Sequence, residues 1–398
     1  MKTLSSDRLP WDLQALLLMI LLISNFFPFY ITVTVMTVIF IILGGCGLFR
    51  PSFTDNSGVM AAFWIFIAYN ISISLVYQNW LGVLISFGFA IYLIFFKYYF
   101  DAIKPYFVED LINVSLIASF ILFIFALLEH FQFIQEWDYT FISEAMGKQH
   151  ADRVEATFFN PNYYAMMLEF FIIIGLYKLT RTKKLRKKLA FAFITLCNLS
   201  AIFFTGARTS FMVVVGSIVV FYYVYGYHKQ ALVSLGLMVL GVLGLMVTDL
   251  FPRMDSLSWA LGDRIHIWQT ALRALRHNYL FGQGPLTYLQ VWNEYPGGKS
   301  TIHSHSIYLD PLLSYGIVGC SILFLPFYRF ASLINTMRKH PALRLRLALI
   351  CSFISIVLLH GLLDLTIFWI QTSFLFLIIV LPIKNMIQEA EAGLYPEK

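Results

Sequence analysis

The sequence predicts an all-helical protein that crosses a membrane many times. Of its 398 residues, 59% are hydrophobic and only 13% are charged, and the mean hydropathy is +0.74, well above the range of soluble domains. A spanning helix needs about 20 mainly apolar residues, and segments of that length follow one another along the chain. The composition excludes a soluble enzyme, a disordered scaffold and a receptor with a single span. Transporters, channels and enzymes that act on membrane-embedded substrates remain.

The apolar segments predict about twelve spanning helices in one integral membrane domain, residues 1–398. Two long loops interrupt them, at 130–159 and at 250–311, and the second precedes the last three helices. Lys2 and Arg8 precede the first apolar segment without a cleavage site, so we expect a retained anchor. The predicted spans are 12–27, 29–48, 57–77, 79–97, 107–129, 160–180, 188–204, 208–226, 229–249, 312–334, 344–366 and 367–384.

The loop charges predict the orientation. Most of the 28 basic residues fall in loops on one side, and the positive-inside rule places those loops and both termini in the cytoplasm. The run 178–188 is then a topology determinant, with a lipid head-group or nucleic-acid patch as the alternative. The net charge of +6 therefore needs no nucleic-acid partner. The basic residues predicted outside are Lys148, Arg153, Arg208, Arg253, Arg264, Arg273, Arg276 and Lys299.

This orientation puts both long loops outside the cytoplasm, where neither ATP nor nucleotide sugars are available. Any group transfer there needs a donor that is already activated. The four cysteines, Cys46, Cys197, Cys320 and Cys351, lie inside apolar segments and form no disulfide framework or metal-binding motif.

The loop 250–311 contains an amphipathic pattern. Apolar residues recur at helical spacing from Leu257 to Leu275, which predicts a helix over 256–277 that lies along the membrane surface. Its polar side either contacts lipid head groups or clamps a diphosphate, which guanidinium groups match with paired hydrogen bonds. The glycine turn 281–285 is a weak candidate for a phosphate cradle. The polar side carries Arg264, His266, Arg273, Arg276 and His277.

Two histidines, His303 and His305, lie where this loop returns to the membrane. Imidazole has a pKa near 6.5, so either residue is a candidate general base, and the alternative for each is a capping or hydrogen-bonding role. A metal site is the weaker interpretation, because an H-x-H pair needs a third ligand and no companion motif is present.

Further polar residues lie at predicted outer helix ends. Arg153 precedes a helix start in which Asn160 is a good N-cap and Pro161 suits the first position. We count Arg153 and Asn162 among the substrate-binding candidates. Arg208 stands between two spans with almost no loop around it, where an arginine should have an anionic partner.

Three ionisable residues fall inside predicted spans. Glu169 lies two turns into the sixth helix, and His360 and Asp364 are spaced i, i+4 in the eleventh. Charged groups at such depth are costly and are by default functional. They suit a proton-coupled transporter, or alternatively a polar contact between helices or an Arg208–carboxylate pair that fixes packing.

The order of these segments resembles the O-antigen ligase and polysaccharide polymerase superfamily of bacterial envelopes. The resemblance extends over most of the chain, and Ser306 replaces the asparagine usual in the last motif. The resembling segments are F-N-P-N-Y-Y-A at 159–165, T-G-A-R-T-S at 205–210, D-R-I-H-I-W-Q-T-A-L at 263–272, N-Y-L-F-G-Q-G-P at 278–285 and H-S-H-S-I-Y-L-D-P-L-L-S-Y-G-I-V-G at 303–319.

The resemblance implies a GT-C-like fold in the bacterial cytoplasmic (inner) membrane and transfer of a glycan from an undecaprenyl-diphosphate-linked donor. His305 corresponds to the residue that activates the acceptor, and Arg208 and Arg264 correspond to arginines that hold the diphosphate. The expected acceptor is lipid A, another glycolipid or a nascent polymer, with neither metal nor cofactor. We favour a ligase over a polymerase, and a flippase is the alternative from another class.

Overall fold

The computed structural model describes residues 9–136, 153–248 and 257–394. Over these residues the chain is helical, with no strand. The expectations for Lys2, Arg8, Lys148 and Arg253 concern residues outside this range, as do the middle of the first long loop and the start of the second.

Each predicted span coincides with one helix or with two helices in succession. Among the residues that the structure describes, eight helices are long and apolar enough to cross a membrane, or up to nine if the bent pair α14–α15 is one span, and α1 and α2 are shorter apolar helices. The helices are α1 Trp11–Ser24, α2 Phe29–Gly45, α3 Arg50–Thr54, α4 Gly58–Val76, α5 Trp80–Ala102, α6 Pro105–His130, α7 Phe133–Glu136, α8 Pro161–Arg181, α9 Leu185–Thr205, α10 Arg208–Tyr225, α11 His228–Thr248, α12 Leu257–His277, α13 Thr287–Val291, α14 Leu309–Ile322, α15 Phe324–Met337, α16 Arg344–His360, α17 Ile370–Val380 and α18 Ile383–Glu391.

Helix α8 lies at the centre of the bundle. Its side chains from Tyr164 to Ile174 are all buried, as expected for a helix that is apolar on every side. It packs against α9, α10 and α16. Its start is capped as predicted, with the Asn160 side chain accepting the backbone N–H of Asn162 at 2.8 Å and Pro161 in the first position. This densely packed helix therefore presents Asn162 at one end of the bundle.

The predicted span 312–334 is broken. α14 contains a non-helical residue, Gly316, and α14 and α15 meet at a bend of 67°. The freed backbone N–H groups are satisfied by the preceding segment, because Ile317 donates to Tyr279 O at 2.9 Å and Val318 donates to Leu280 O at 3.0 Å. The segment 278–285 therefore docks into the break of α14, as an irregular backbone in a membrane protein must find protein partners.

Side chains of earlier helices hold this segment. Tyr69 of α4 donates to Phe281 O at 2.6 Å, and Asn79, which caps α5, donates to Pro285 O at 2.8 Å. Gly282 has φ +66°, and a Cβ there would lie 2.4 Å from Ser314 O. The absence of a side chain at Gly282 therefore permits close backbone packing.

Helix α12 agrees with the predicted helix 256–277. The small or branched residues Ile267, Ala271 and Ala274 face the protein, whereas Leu261, Ile265 and Leu272 are exposed. These three exposed apolar side chains lie on a face that is free to contact a membrane surface, as expected for an interfacial helix, whereas Trp268 and Leu275 pack against the protein.

Candidate active site

Asp364 lies in the turn that follows α16, not inside a helix as the predicted span 344–366 would place it. α16 ends at His360, and the backbone N–H of Ile307 donates to Gly361 O at 2.8 Å. A Cβ on Gly361 would lie 2.3 Å from Cγ2 of Ile307. The close packing of Ile307 on Gly361 therefore brings the histidine loop, residues 303–308, beside Asp364.

Both carboxylate oxygens of Asp364 contact other parts of the chain. Oδ1 lies 2.8 Å from Nδ1 of His305 and accepts the backbone N–H of Leu365 at 2.8 Å. Oδ2 accepts the side-chain amide of Asn162 at 2.7 Å and lies 3.7 Å from Nη2 of Arg264. Asp364 therefore joins α8, α12 and the histidine loop at one point.

The surrounding charges keep Asp364 ionised. Burial alone raises its pKa, but the charge and hydrogen bond of His305 and the charge of Arg264 outweigh burial and hold the pKa of Asp364 well below its ordinary value. An ionised carboxylate only accepts hydrogen bonds, so His305 carries its proton on Nδ1. Nε2 of His305 is then the basic nitrogen, and the side chain is 22% exposed.

His303 is in a different chemical state from His305. Its Nδ1 accepts the backbone N–H of His305 at 3.2 Å, and the two ring centroids are 4.5 Å apart. Burial, and then the neighbouring His305, lower the pKa of His303 to about 4. His303 is therefore neutral near pH 7, with its proton on Nε2, and can donate a hydrogen bond there.

The backbone of the histidine loop is strained and firmly anchored. His305 has φ +53°, a left-handed conformation that is uncommon for residues other than glycine and is often found at functional sites. The Ser306 hydroxyl accepts the backbone N–H of Tyr308 at 3.3 Å and that of Leu309 at 3.4 Å, so it holds the turn that leads into α14. The side-chain oxygen of asparagine can accept the same bonds, so serine can take the place of the asparagine usual in the resembling motif.

Arg153 connects this cluster to the α9–α10 turn. Its Nη2 donates to Asn162 Oδ1 at 2.7 Å, and its Nε donates to Thr205 O at 2.6 Å. Asn162 therefore bridges Arg153 and Asp364. Arg208 begins α10, three residues after Thr205, and is half-buried. The turn that carries Arg208 is thus tied to the cluster through Arg153.

The other arginines of α12 lie at its surface. Arg273 and Arg276 are both exposed, and Nη1 of Arg273 donates to Pro296 O at 2.9 Å. Arg264 is the arginine of α12 whose contact with Asp364 the structure records. A substrate-binding role for Arg273 and Arg276 stays a prediction.

The glycine turn 281–285 uses its N–H groups inside the protein. Gly282 donates to Asn278 O at 2.9 Å and Gly284 donates to Ser314 O at 2.8 Å. Because these donors are occupied, the turn serves helix packing and is a poor phosphate cradle.

His360 and Asp364 do not pair with each other, in spite of their spacing. Nδ1 of His360 lies 2.8 Å from Oε1 of Glu169, and both side chains are buried. Because α16 ends at His360, the two side chains do not project from one helix face. The Glu169–His360 pair joins α8 to α16 about two turns of α8 away from Asn162, which agrees with the packing interpretation.

The geometry supplies the third group that an H-x-H pair lacks for metal binding. Potential ligand atoms of His303, His305 and Asp364 lie within 4.8 Å of one another. However, both oxygens of Asp364 already accept hydrogen bonds, and the cationic Arg264 lies beside one of them. A divalent cation would break these contacts and face a guanidinium group, so the residues fit a hydrogen-bonded dyad better than a metal centre.

An apolar cleft of about 510 Å³ lies between α1, α6 and the segment 156–159. Glu129 holds this segment by accepting the backbone N–H of Ala156 at 2.8 Å, and Thr157 donates to Phe26 O at 2.8 Å. The same stretch of chain runs from Arg153 to Asn162, so the cleft and the cluster share one structural element. The lining includes Phe26, Ile117, Ile121, Leu122, Phe125 and Phe159.

The region that carries Arg208, Arg264 and the two histidines is similar to a known family. Residues 191–324 match the O-antigen ligase family model. The match confirms the resemblance to the O-antigen ligase and polysaccharide polymerase superfamily, and it supports a glycan-transfer function of that general type. Asp364 lies beyond the matched region. No curated protein matches the chain.

Sequence reasoning placed Asp364 among the polar residues of the membrane interior and missed its contact with His305. The available signal was its position near the end of an apolar segment, where a helix end and an outer boundary are both expected. The partner could not be identified from spacing, because the two residues are 59 positions apart.

Proposed function

We propose that this protein transfers a glycan from an undecaprenyl-diphosphate-linked donor to an acceptor hydroxyl on the outer face of the bacterial cytoplasmic membrane. The observation that carries the proposal is the His305–Asp364 dyad, in which the partly exposed His305 side chain binds the carboxylate through Nδ1 and Arg264 approaches the same carboxylate. The membrane-spanning architecture supplies access to a lipid-linked donor. The match of residues 191–324 supports the class of reaction.

In the proposed reaction His305 is the general base. The acceptor oxygen attacks the anomeric carbon while Nε2 of His305 takes the hydroxyl proton, and Asp364 stabilises the imidazolium that forms, as in a catalytic triad. The new bond joins the anomeric carbon to the acceptor oxygen. The bond between that carbon and the diphosphate oxygen breaks, and the diphosphate keeps the electron pair. Attack opposite the leaving group inverts the anomeric configuration.

Arginines stabilise the leaving diphosphate in this proposal. Negative charge on its oxygens grows as the bond breaks, so fixed guanidinium groups lower the energy of the transition state more than that of the ground state. Arg264 beside Asp364 and Arg208 at the start of α10 are assigned this role. Arg153 and Asn162 position Asp364 and contact the substrate. The neutral His303 donates a hydrogen bond to the substrate.

The apolar cleft between α1 and α6 fits the polyprenyl tail of the donor. Its wall follows α6 from Val114 to Phe125, about 16 Å of helix, and the segment that closes it leads to Arg153 and Asn162. An amphiphile with an apolar chain and an anionic head would thus meet apolar and then cationic surroundings in order.

The acceptor class distinguishes a ligase from a polymerase. We favour the ligase, which moves a finished polymer of O-antigen, teichoic-acid or capsule type onto lipid A or another envelope acceptor. The polymerase alternative adds the growing chain to the next lipid-linked unit. A flippase would need its deep polar residues to serve transport, but Glu169 and His360 bind each other.

Depletion of the protein in its host tests these alternatives. Undecaprenyl-linked saccharides would be analysed by size and by membrane face. Long polymers on the outer face support the ligase, and single repeat units there support the polymerase. Repeat units held on the cytoplasmic face would indicate a flippase, and an unchanged pool would overturn the proposal.

An assay with purified protein tests the roles of His305 and Arg264. His305→Ala and Arg264→Ala should each abolish or strongly reduce glycan transfer from a lipid-diphosphate donor. His228→Ala removes an exposed histidine at the start of α11 and is the matched control. Full activity in both the His305→Ala and the Arg264→Ala variant would contradict the assignment.

A further inference from the structure

A second charged cluster lies at the opposite end of α8 and α16 from His305. Lys178 and Arg181 end α8, about 24 Å along the helix from Asn162, and Arg346 lies in the first turn of α16. All three cations surround one carboxylate, Glu109 of α6. We call Glu109, Lys178, Arg181 and Arg346 the basic cluster.

The hydrogen bonds of Arg346 are incomplete. Its side chain is only 4% exposed, and Nη2 pairs with Glu109. Its Nε and Nη1 have no hydrogen-bond acceptor among the residues that the structure describes. The Tyr177 ring lies 5.0 Å from the guanidinium carbon, which stabilises the charge, and the Tyr177 hydroxyl bonds to Glu109 and Arg181. Buried N–H groups of a cation are costly when they are left unpaired.

The charges of the basic cluster are also unbalanced. Glu109 contributes one negative charge against three cations. Arg346 sits at the N-terminal end of α16, where the helix dipole adds positive potential. Asp110 is near Lys178, but so is the further cation Lys187. An anion in this position would meet several cationic donors at once.

We propose that the basic cluster binds a phosphate group. Guanidinium groups match phosphate oxygens with paired hydrogen bonds, and Nε and Nη1 of Arg346 are the unused donors. In the orientation that the charges predict, this end of the bundle meets the cytoplasmic leaflet, so the phosphate comes from an anionic phospholipid head group or from solution. The run 178–188 then contributes to a binding site as well as to topology.

The test uses the purified full-length protein in detergent and follows thermal unfolding. The added probes are phosphatidylglycerol, phosphatidylcholine and inorganic phosphate. We expect phosphatidylglycerol to raise the unfolding temperature more than phosphatidylcholine, whose choline group offsets the phosphate charge. A matching response to inorganic phosphate would identify a site for phosphate itself, and a response to phosphatidylglycerol alone would identify the lipid head group as the source.

Two variants distinguish a phosphate site from an internal ion-pair network. Glu109→Gln removes the competing carboxylate, so it should lower the phosphatidylglycerol concentration needed for half of the shift, by about tenfold for a nearby charge. Arg346→Gln should weaken the response by a similar factor. Lys178→Gln serves the same purpose if Arg346→Gln does not fold.

Arg329→Gln is the matched control, because Arg329 is exposed on α15 and lies outside the basic cluster. It should leave the response unchanged. The proposal is overturned if wild-type protein responds to none of the probes, if Glu109→Gln weakens the response, or if Arg329→Gln weakens it as much as Arg346→Gln. None of these outcomes depends on glycan transfer.

Discussion

Nδ1 of His305 lies 2.8 Å from Oδ1 of Asp364, although 59 residues separate them in the chain. His305 belongs to the loop before α14, and Asp364 to the turn after α16. The same carboxylate also accepts the side chain of Asn162 from α8. This contact fixes which nitrogen of His305 is basic, so it determines the chemistry that the loop can perform.

Asp364→Asn should reduce glycan transfer by roughly a thousandfold or more, because an amide no longer holds the reactive tautomer or stabilises the imidazolium. The measurement is kcat with a purified lipid-diphosphate donor. Glu294→Gln, at an exposed acid of the segment between α12 and α14, is the control and should retain activity. An Asp364→Asn variant with wild-type kcat would remove the dyad from the mechanism.

Folding stability should fall as the pH is lowered from about 6.5 to about 4. The pKa of His303 drops from its ordinary 6.5 to about 4 in the folded protein, so within this window the unfolded chain binds a proton that the folded chain does not. Proton uptake by the unfolded state lowers the free energy of unfolding as the pH falls. Asp364 stays ionised throughout this pH window because its pKa is held well below its ordinary value of 3.8.

His303→Gln isolates this effect, since glutamine keeps a polar side chain but does not titrate. The variant should lose less stability than wild type between pH 6.5 and pH 4 in thermal unfolding. Equal losses in both proteins would show that His303 is not the group responsible.

Ile121→Trp should weaken the apparent affinity for a donor with a long polyprenyl tail by about tenfold and leave kcat nearly unchanged. Ile121 lines the apolar cleft and is 62% exposed, so a larger ring can fold there but obstructs the chain. Ile91→Trp, on an exposed position of α5, is the matched variant. A short-tailed donor should bind both variants equally, and equal KM values for the long-tailed donor would place its tail elsewhere.

Gly282→Ala should destabilise the protein by about 2 kcal/mol or more. The position has φ +66°, and the new Cβ would lie 2.4 Å from Ser314 O. A Cβ added at Gly88 of α5 would meet no atom within 4 Å, so Gly88→Ala should be neutral or stabilising by about 0.5–1 kcal/mol. Equal unfolding temperatures for the two variants would contradict this account of the glycine turn.

The helices could be predicted because apolar segments of spanning length leave a direct signal in the chain. The start of α8 at Pro161 was also predictable, since its cap is local. The break at Gly316 and the end of α16 at His360 were not, because each depends on contact with a distant segment, Leu280 in one case and Ile307 in the other.

The residues of the candidate site could be predicted from the sequence, but their contacts could not. The sequence pointed to His305, Arg264 and Asn162 one by one, but the contact of each with Asp364 depends on how three helices pack. Asp364 was interpreted as a membrane-interior partner of His360, which in fact binds Glu169. Spacing along a helix is informative only while the helix continues, and α16 stops before Asp364.

The hydrogen bond from Tyr69 to Phe281 O has a consequence for biosynthesis. Tyr69 donates to Phe281 O across 212 positions of the chain, so the ribosome releases α4 long before the segment that it must receive. The N-terminal half would then insert first, with Tyr69 and Asn79 in place to bind the segment 278–285. The histidine loop could adopt its native conformation only after the later half has docked on these residues. Maturation of the site would then be one of the last events of assembly.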